Sequence, residues 1–114
     1  MKAKYDYFIG VPCSKLKKFM EENDCIIATR EDEAVAMAVG MHLAGKTVEV
    51  VIQNSGLGNC TDIITSLLKP YDISIPFYIS VRKHPEHHSF MGKITRKLLD
   101  LMEYYNWLGF EEEL

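Results

Sequence analysis

The residues able to do chemistry fall into four groups. Arg82, Lys83, His84, His87 and His88 gather around Pro85 as the densest cationic or titratable cluster in the chain. The imidazoles could be zinc ligands, but the thiols lie elsewhere, Pro85 disrupts the helix that i, i+4 ligation wants, and no fourth ligand can be named. No metal site is expected. An anion pocket suits the cluster better, because Arg82 offers a planar fork and histidine both donates and titrates near neutral pH; a solvated surface loop is the plain alternative. Gly56-Leu57-Gly58 has the backbone freedom to approach a ligand, next to a helix N-terminus with unpaired N–H groups. It lacks the third glycine of G-x-G-x-x-G, and the chain has no G-x-x-x-x-G-K-[ST], so neither a nicotinamide cofactor nor a nucleoside triphosphate is implied. A purely structural strand-to-helix turn explains it equally well. Glu31 opens a helix whose inward positions are small and apolar. Its carboxylate either complements the helix dipole or, if a partner covers that face and strips its water, becomes able to carry a proton. Cys13, Cys25 and Cys60 are odd in number, form no C-x-x-C pair and read as reduced packing residues.

Alternating strands and helices must position these groups. Tyr5 to Ile9 reads as a strand ending at Gly10, followed by a helix capped by Ser14 and running to about Glu22, with Leu16, Phe19 and Met20 inward. Cys25 to Ala28 reads as a short strand. Thr29 then stands at an N-cap with Asp32 in the capping-box position, opening a helix from near Arg30 to Ala44 that stops at Gly45. Its segment Ala34 to Met41 is rich in small residues, which let another backbone approach. Thr47 to Ile52 is the strongest strand, Cys60 to Lys69 a helix stopped by Pro70, Ile75 to Val81 a strand, and Ile94 to Trp107 a long amphipathic helix with Leu98, Leu99, Met102 and Trp107 inward. This pattern predicts a three-layer α/β/α fold on a mostly parallel sheet, with ligands at the carboxyl ends of the strands. Gly10 to Ser14, Thr29 to Glu31, Gln53 to Asn59 and Arg82 to His88 all fall there.

At 114 residues the chain is expected to be a single domain over 1–114, helical and acidic from about residue 94, with Glu111-Glu112-Glu113 solvated. A domain this short leaves room for an exposed apolar face used in association. A net charge of −3 with scattered Lys and Arg argues against nucleic-acid binding. The apolar run after Lys4 is too short for a signal or membrane span, so a cytoplasmic location is expected.

Gly10-Val11-Pro12-x-Ser14, Glu31-x-x-Ala34-x-x-x-Ala38-x-Gly40, Gln53-Asn54-Ser55-Gly56-Leu57-Gly58-Asn59 and Thr65-Ser66-Leu67, in this order over about residues 8 to 100, resemble the pyrimidine-binding domain of thiamine-diphosphate-dependent decarboxylases. The likeness is to phosphonopyruvate decarboxylases and the alpha subunits of sulfopyruvate decarboxylases. It implies that Glu31 is catalytic, hydrogen-bonding N1′ of the cofactor's aminopyrimidine and favouring the imino tautomer that removes the thiazolium C2 proton. It also implies that Glu31, Asn54, Ser55, Gly56, Leu57, Gly58 and Asn59 contact the cofactor, and that Ser14, Arg82 and His88 contact a phosphonate- or sulfonate-bearing 2-oxo acid. The chain carries no G-D-G-x with a downstream Asn, so thiamine diphosphate and Mg2+ would be held mainly by a diphosphate-binding beta subunit, in an α2β2 or larger assembly. Phosphonopyruvate, converted to phosphonoacetaldehyde and CO2, is the first choice of substrate; sulfopyruvate, converted to sulfoacetaldehyde, is the second. Cys13 stands where phosphonopyruvate decarboxylases carry Asp, Pro-Cys is like the sulfopyruvate alpha subunits, and the segment before Gly92 is shorter than in phosphonopyruvate decarboxylases. A non-catalytic binding or regulatory module of the same fold is the remaining alternative.

Overall fold

A computed structural model describes residues 4–82 and 86–111. Five strands, β1 (Tyr7–Gly10), β2 (Ile26–Ile27), β3 (Val48–Gln53), β4 (Phe77–Val81) and β5 (Trp107–Glu111), form one sheet in the order β2-β1-β3-β4-β5 with every pairing parallel. The expected three-layer α/β/α fold is present. Parallel strands need crossovers, supplied by α1 (Lys17–Glu22), α2 (Glu31–Leu43), a composite helix and α4 (Glu86–Leu101). The composite helix runs from a 3-10 stretch (Asn54–Cys60) through one α turn, α3 (Thr61–Ile63), into a π turn (Ile64–Leu68).

The alternation of side chains along each strand divides the core in two. Ile9, Val50, Ile52, Phe77 and Ile79 face α2, the composite helix and α4, in one continuous apolar cluster with Val35, Leu57, Ile64 and Leu99. Phe8 and Val51 point the other way, where α1 supplies Met20 and the turn before it Leu16. Gly10 has no side chain because β3 lies against it: a Cβ there would run into the carbonyl of Val51. Among the described residues, no helix is long and apolar enough to cross a membrane.

Several element boundaries differ from expectation. The chain turns back after Leu101 and forms β5, so Trp107 lies on a strand instead of ending a helix, and α4 begins at Glu86, well before Ile94. The cause is local. Glu103 adopts a left-handed backbone (φ 56°), the N–H of Tyr104 reaches the carbonyl of Leu99 at 3.0 Å and that of Glu103 reaches Asp100 at 2.9 Å. This is the double closure that stops a helix, made here without a glycine. Asp24 and Asp72 do the same after α1 and the π turn, and Gly45 (φ 86°) after α2. The buried Tyr104 hydroxyl then donates to the Ile75 carbonyl and accepts the Ile75 N–H at 2.8 Å, fixing the turn to the entry of β4. Burial pushes this phenol up to about 12. The Thr29–Asp32 capping box does not form: α2 starts at Glu31, the Thr29 N–H donates to Glu33 Oε1 at 2.6 Å, and Asp32 accepts from the Glu33 N–H at 3.0 Å and from Arg30 Nε at 3.1 Å. Nor does Ser14 cap α1, which begins at Lys17 after a turn in which the Leu16 N–H bonds the Cys13 carbonyl. Lys83, His84 and most of the acidic tail lie outside the described residues.

Candidate active site

β2 is short and leads through Ala28, whose N–H bonds the Gly10 carbonyl at 2.8 Å, into the first turn of α2. Glu31 thus stands at the carboxyl edge of the sheet. From the neighbouring crossover, the 3-10 stretch after β3 brings Gly56 and Asn59 up to it. Asn59 Nδ2 donates to Glu31 Oε1 at 2.9 Å. Gly56 is buried against the same carboxylate, and a Cβ at this position would overlap Glu31 Cγ, Cδ and Oε2. The missing side chain of Gly56 is therefore the notch that the carboxylate occupies, and Asn59 fixes its rotation. Beneath them Cys60 is buried, its Sγ 3.8 Å from the Gly56 carbonyl. Burial first, and then the negative charges of Glu31 and Asp32, push the Cys60 thiol up to about 12, so it stays protonated and unreactive.

A second set of residues lies at the ends of β3 and β4. Arg82 Nη1 donates to Gln53 Oε1 at 3.3 Å, and Gln53 Nε2 donates to Ser55 Oγ. Arg82, expected to meet substrate, is thereby joined through Gln53 to Ser55 of the cofactor group. Gln53 belongs to the quoted motif, yet no sequence signal separated its side chain from the strand it ends. The sequence groups Asn54 with the cofactor contacts, but the structure turns its side chain fully inward. Its Nδ2 donates to the Arg82 carbonyl at 3.1 Å and to Thr95 Oγ1 at 2.9 Å, while its Oδ1 accepts the Arg82 N–H at 3.0 Å. Asn54 ties β3 and β4 to α4. Leu57 is likewise inward, packed in the main core, so only its backbone faces the site; Ser55, Gly58 and Asn59 are exposed.

His88 lies in the first turn of α4, buried, with its ring 4.1 Å from that of His87. Ser14 is exposed in the turn before α1 and lines a separate cleft of about 630 Å³ with Cys13, Lys17 and Ile27. The structure thus joins Glu31 with Gly56 and Asn59, and Arg82 with Gln53 and Ser55, while Ser14 stands apart. Between α2 and the composite helix, a further cleft of about 570 Å³ begins at Asn59 and Thr29 and runs past Ala36 to Leu67. Beyond its acidic first turn, α2 also carries exposed apolar side chains: Met37 is 39% and Leu43 72% exposed.

Relatives settle the affiliation. Over 111 residues the chain is 35% identical to the sulfopyruvate decarboxylase subunit alpha of Methanothermobacter thermautotrophicus, covering 89% of this chain and 67% of the relative. The chain belongs to the family of sulfopyruvate and phosphonopyruvate decarboxylases. The subunit alpha of Methanocaldococcus jannaschii shares 39% identity over 108 residues, 86% of this chain and 64% of its own length. The phosphonopyruvate decarboxylase of Streptomyces viridochromogenes also shares 39%, over 106 residues that make up 82% of this chain and only 26% of that enzyme. The chain therefore spans about two thirds of the alpha subunits it matches and about a quarter of the longer enzyme. No protein-family profile matches it.

Proposed function

We propose that this chain forms the aminopyrimidine-binding part of a thiamine-diphosphate-dependent 2-oxo acid decarboxylase and works only with a second polypeptide. The observation that carries this reading is the Glu31 carboxylate, held at the strand ends by Asn59 and seated in the notch left by Gly56. A carboxylate fixed in this way suits the recognition of a ring nitrogen that must gain a proton, and the absent Cβ of Gly56 is what makes room for it. When bound, thiamine diphosphate supplies the nucleophilic carbon and the electron sink that decarboxylation requires. With the cofactor bound, Glu31 would hold a proton at N1′ of the aminopyrimidine and Asn59 would keep the carboxylate from rotating away. Mg2+ and the diphosphate fall to the partner, a beta subunit, consistent with relatives that are themselves named alpha subunits. The exposed apolar side chains of α2 beyond its first turn, Met37 and Leu43, support contact with that partner.

The substrate in this reading is a three-carbon 2-oxo acid with a phosphonate or sulfonate at C3. Arg82, oriented by Gln53, supplies a planar cation for the oxyanion. Phosphonopyruvate remains the first choice from sequence. Sulfopyruvate has a specific observation in its favour: the relatives that match over about two thirds of their length are alpha subunits of sulfopyruvate decarboxylase. The test is turnover of both acids by this chain mixed with a beta subunit, thiamine diphosphate and Mg2+, against the same mixture carrying Glu31→Gln. Loss of about 100-fold or more in kcat is expected for the variant; unchanged turnover rejects the role of Glu31. Activity of this chain without a partner rejects the divided site.

A further inference from the structure

β5 closes one edge of the sheet, and its free side has a definite chemistry. All five of its residues are in register with β4. The N–H of Phe77 bonds the carbonyl of Asn106, so Asn106, Leu108 and Phe110 turn their backbone groups toward β4, whereas Trp107, Gly109 and Glu111 turn theirs away. Among the described residues no strand pairs with that outer side; the Trp107 N–H alone is taken up locally, by the Tyr105 carbonyl at 2.9 Å. Exposed edges are normally blunted by brevity, by Lys or Pro, or by a covering segment. β2, at the opposite edge, is two residues long, but β5 reads Trp-Leu-Gly-Phe-Glu over five residues without Lys or Pro. Its side chains on the α1 face are also uncovered: Leu108 is 63% and Phe110 43% exposed, and Phe110 stacks on Tyr78 at 6.2 Å. α1 is only six residues long; it covers β1 and β3 and reaches β4 through Phe19 stacked on Tyr78 at 4.7 Å, leaving Leu108 and Phe110 of β5 exposed.

We propose that β5 pairs antiparallel with β5 of a second copy of this chain, about a two-fold axis through Gly109, joining two five-stranded sheets into one. The strand fits its own copy. Gly109 is its central residue and turns both backbone groups outward, so two copies exchange two N–H to carbonyl bonds at the axis. The same register sets Leu108 of one copy opposite Phe110 of the other, on the same face, twice. Each exposed apolar side chain thereby meets the other type, and the two stacks of Phe110 on Tyr78 become one apolar strip. A one-residue slip would lose this match, because side chains alternate between faces. A symmetric contact requires such self-complementarity, and the strand meets it with no further element.

Sedimentation velocity of the full chain from about 1 to 100 µM tests this, since an interface of a few strand residues is expected to have micromolar affinity. The wild type should shift from monomer to dimer across the range. Leu108→Lys and Phe110→Glu should each remain monomeric with an unchanged circular dichroism spectrum, because both side chains are largely exposed and the fold does not depend on them. Mixing the two variants should restore a dimer, in which the introduced lysine of one copy meets the introduced glutamate of the other. A wild type that stays monomeric, single variants that still dimerise, or a mixture that fails to recover would each overturn the proposal. So would a monomeric chain whose Leu108→Lys variant fails to assemble with the beta subunit, since the edge would then belong to that partner.

Discussion

Glu49 is an acidic side chain placed inside the fold. It sits in the middle of the sheet on β3, in register with Phe8, and is 6% exposed. Tyr5, Phe8, Phe19 and Tyr78 wall a cavity of about 250 Å³ around it. Among the described residues no group hydrogen-bonds its carboxylate, and Lys4 is the charge that acts on it. Burial pushes the carboxyl from 4.5 up to about 7, with Lys4 pulling in the opposite direction. The folded state therefore binds the proton more tightly than the unfolded chain. Stability is fully present below about pH 4.5 and is lost as pH rises through 7. At about 1.4 kcal/mol per pH unit, the loss approaches 3 kcal/mol by pH 8, an upper bound for a group that retains some water. Glu49→Gln keeps the shape and removes the titration. The variant should exceed the wild type by less than about 1 kcal/mol at pH 5 and by about 2–3 kcal/mol at pH 8, read as a higher urea midpoint with an unchanged m-value. Tyr5 and Tyr78, the titrating neighbours, are both raised above 10 and stay neutral over this range. A stability difference between variant and wild type that is the same at pH 5 and pH 8 would refute the reasoning.

Further outcomes follow from the site and the helix ends. Gly56→Ala should displace the Glu31 carboxylate and lower the turnover of the reconstituted enzyme by at least about tenfold, while circular dichroism of the chain is unchanged. Asn54→Ala removes three hydrogen bonds, to the Arg82 N–H, the Arg82 carbonyl and the Thr95 hydroxyl, of which the last still donates to the Met91 carbonyl, and should cost about 2–4 kcal/mol in denaturant unfolding. Glu103→Gly relieves a left-handed non-glycine residue and should raise stability by about 1 kcal/mol, seen as a higher thermal midpoint with no change in turnover.

The parts of this molecule that could be read from sequence are those in which residue type and backbone geometry agree. β3 is a run of β-branched residues, α2 stops at a glycine, and the motif from Gln53 to Asn59 leads from the one toward Glu31. β5 was hidden because Glu103 makes the left-handed turn that a glycine would have announced; without that signal the amphipathic pattern of α4 runs on to Trp107. The capping box failed for a related reason. Thr29 and Asp32 have the right spacing, but Glu33 reaches the Thr29 N–H and Asp32 bonds its own neighbour and Arg30, a choice between carboxylates that spacing does not encode. At the site, Glu31 stood out as a charge on a helix of small residues. The Gln53 link to Arg82 depends on which strand lies beside β3, and that is a property of the sheet order.

Asn54 has a consequence for how variation in this chain is interpreted. It lies inside the most recognisable motif of the sequence, between an exposed glutamine contact and the notch for Glu31, yet its amide is taken up by Arg82 and Thr95. A library screened only for product formation would rank position 54 beside Glu31 and assign chemistry to both. Screened for soluble yield as well, the two would separate, with Glu31 substitutions accumulating folded, silent protein and Asn54 substitutions failing to accumulate. A motif that looks like one functional unit thus contains a residue whose side chain serves the architecture.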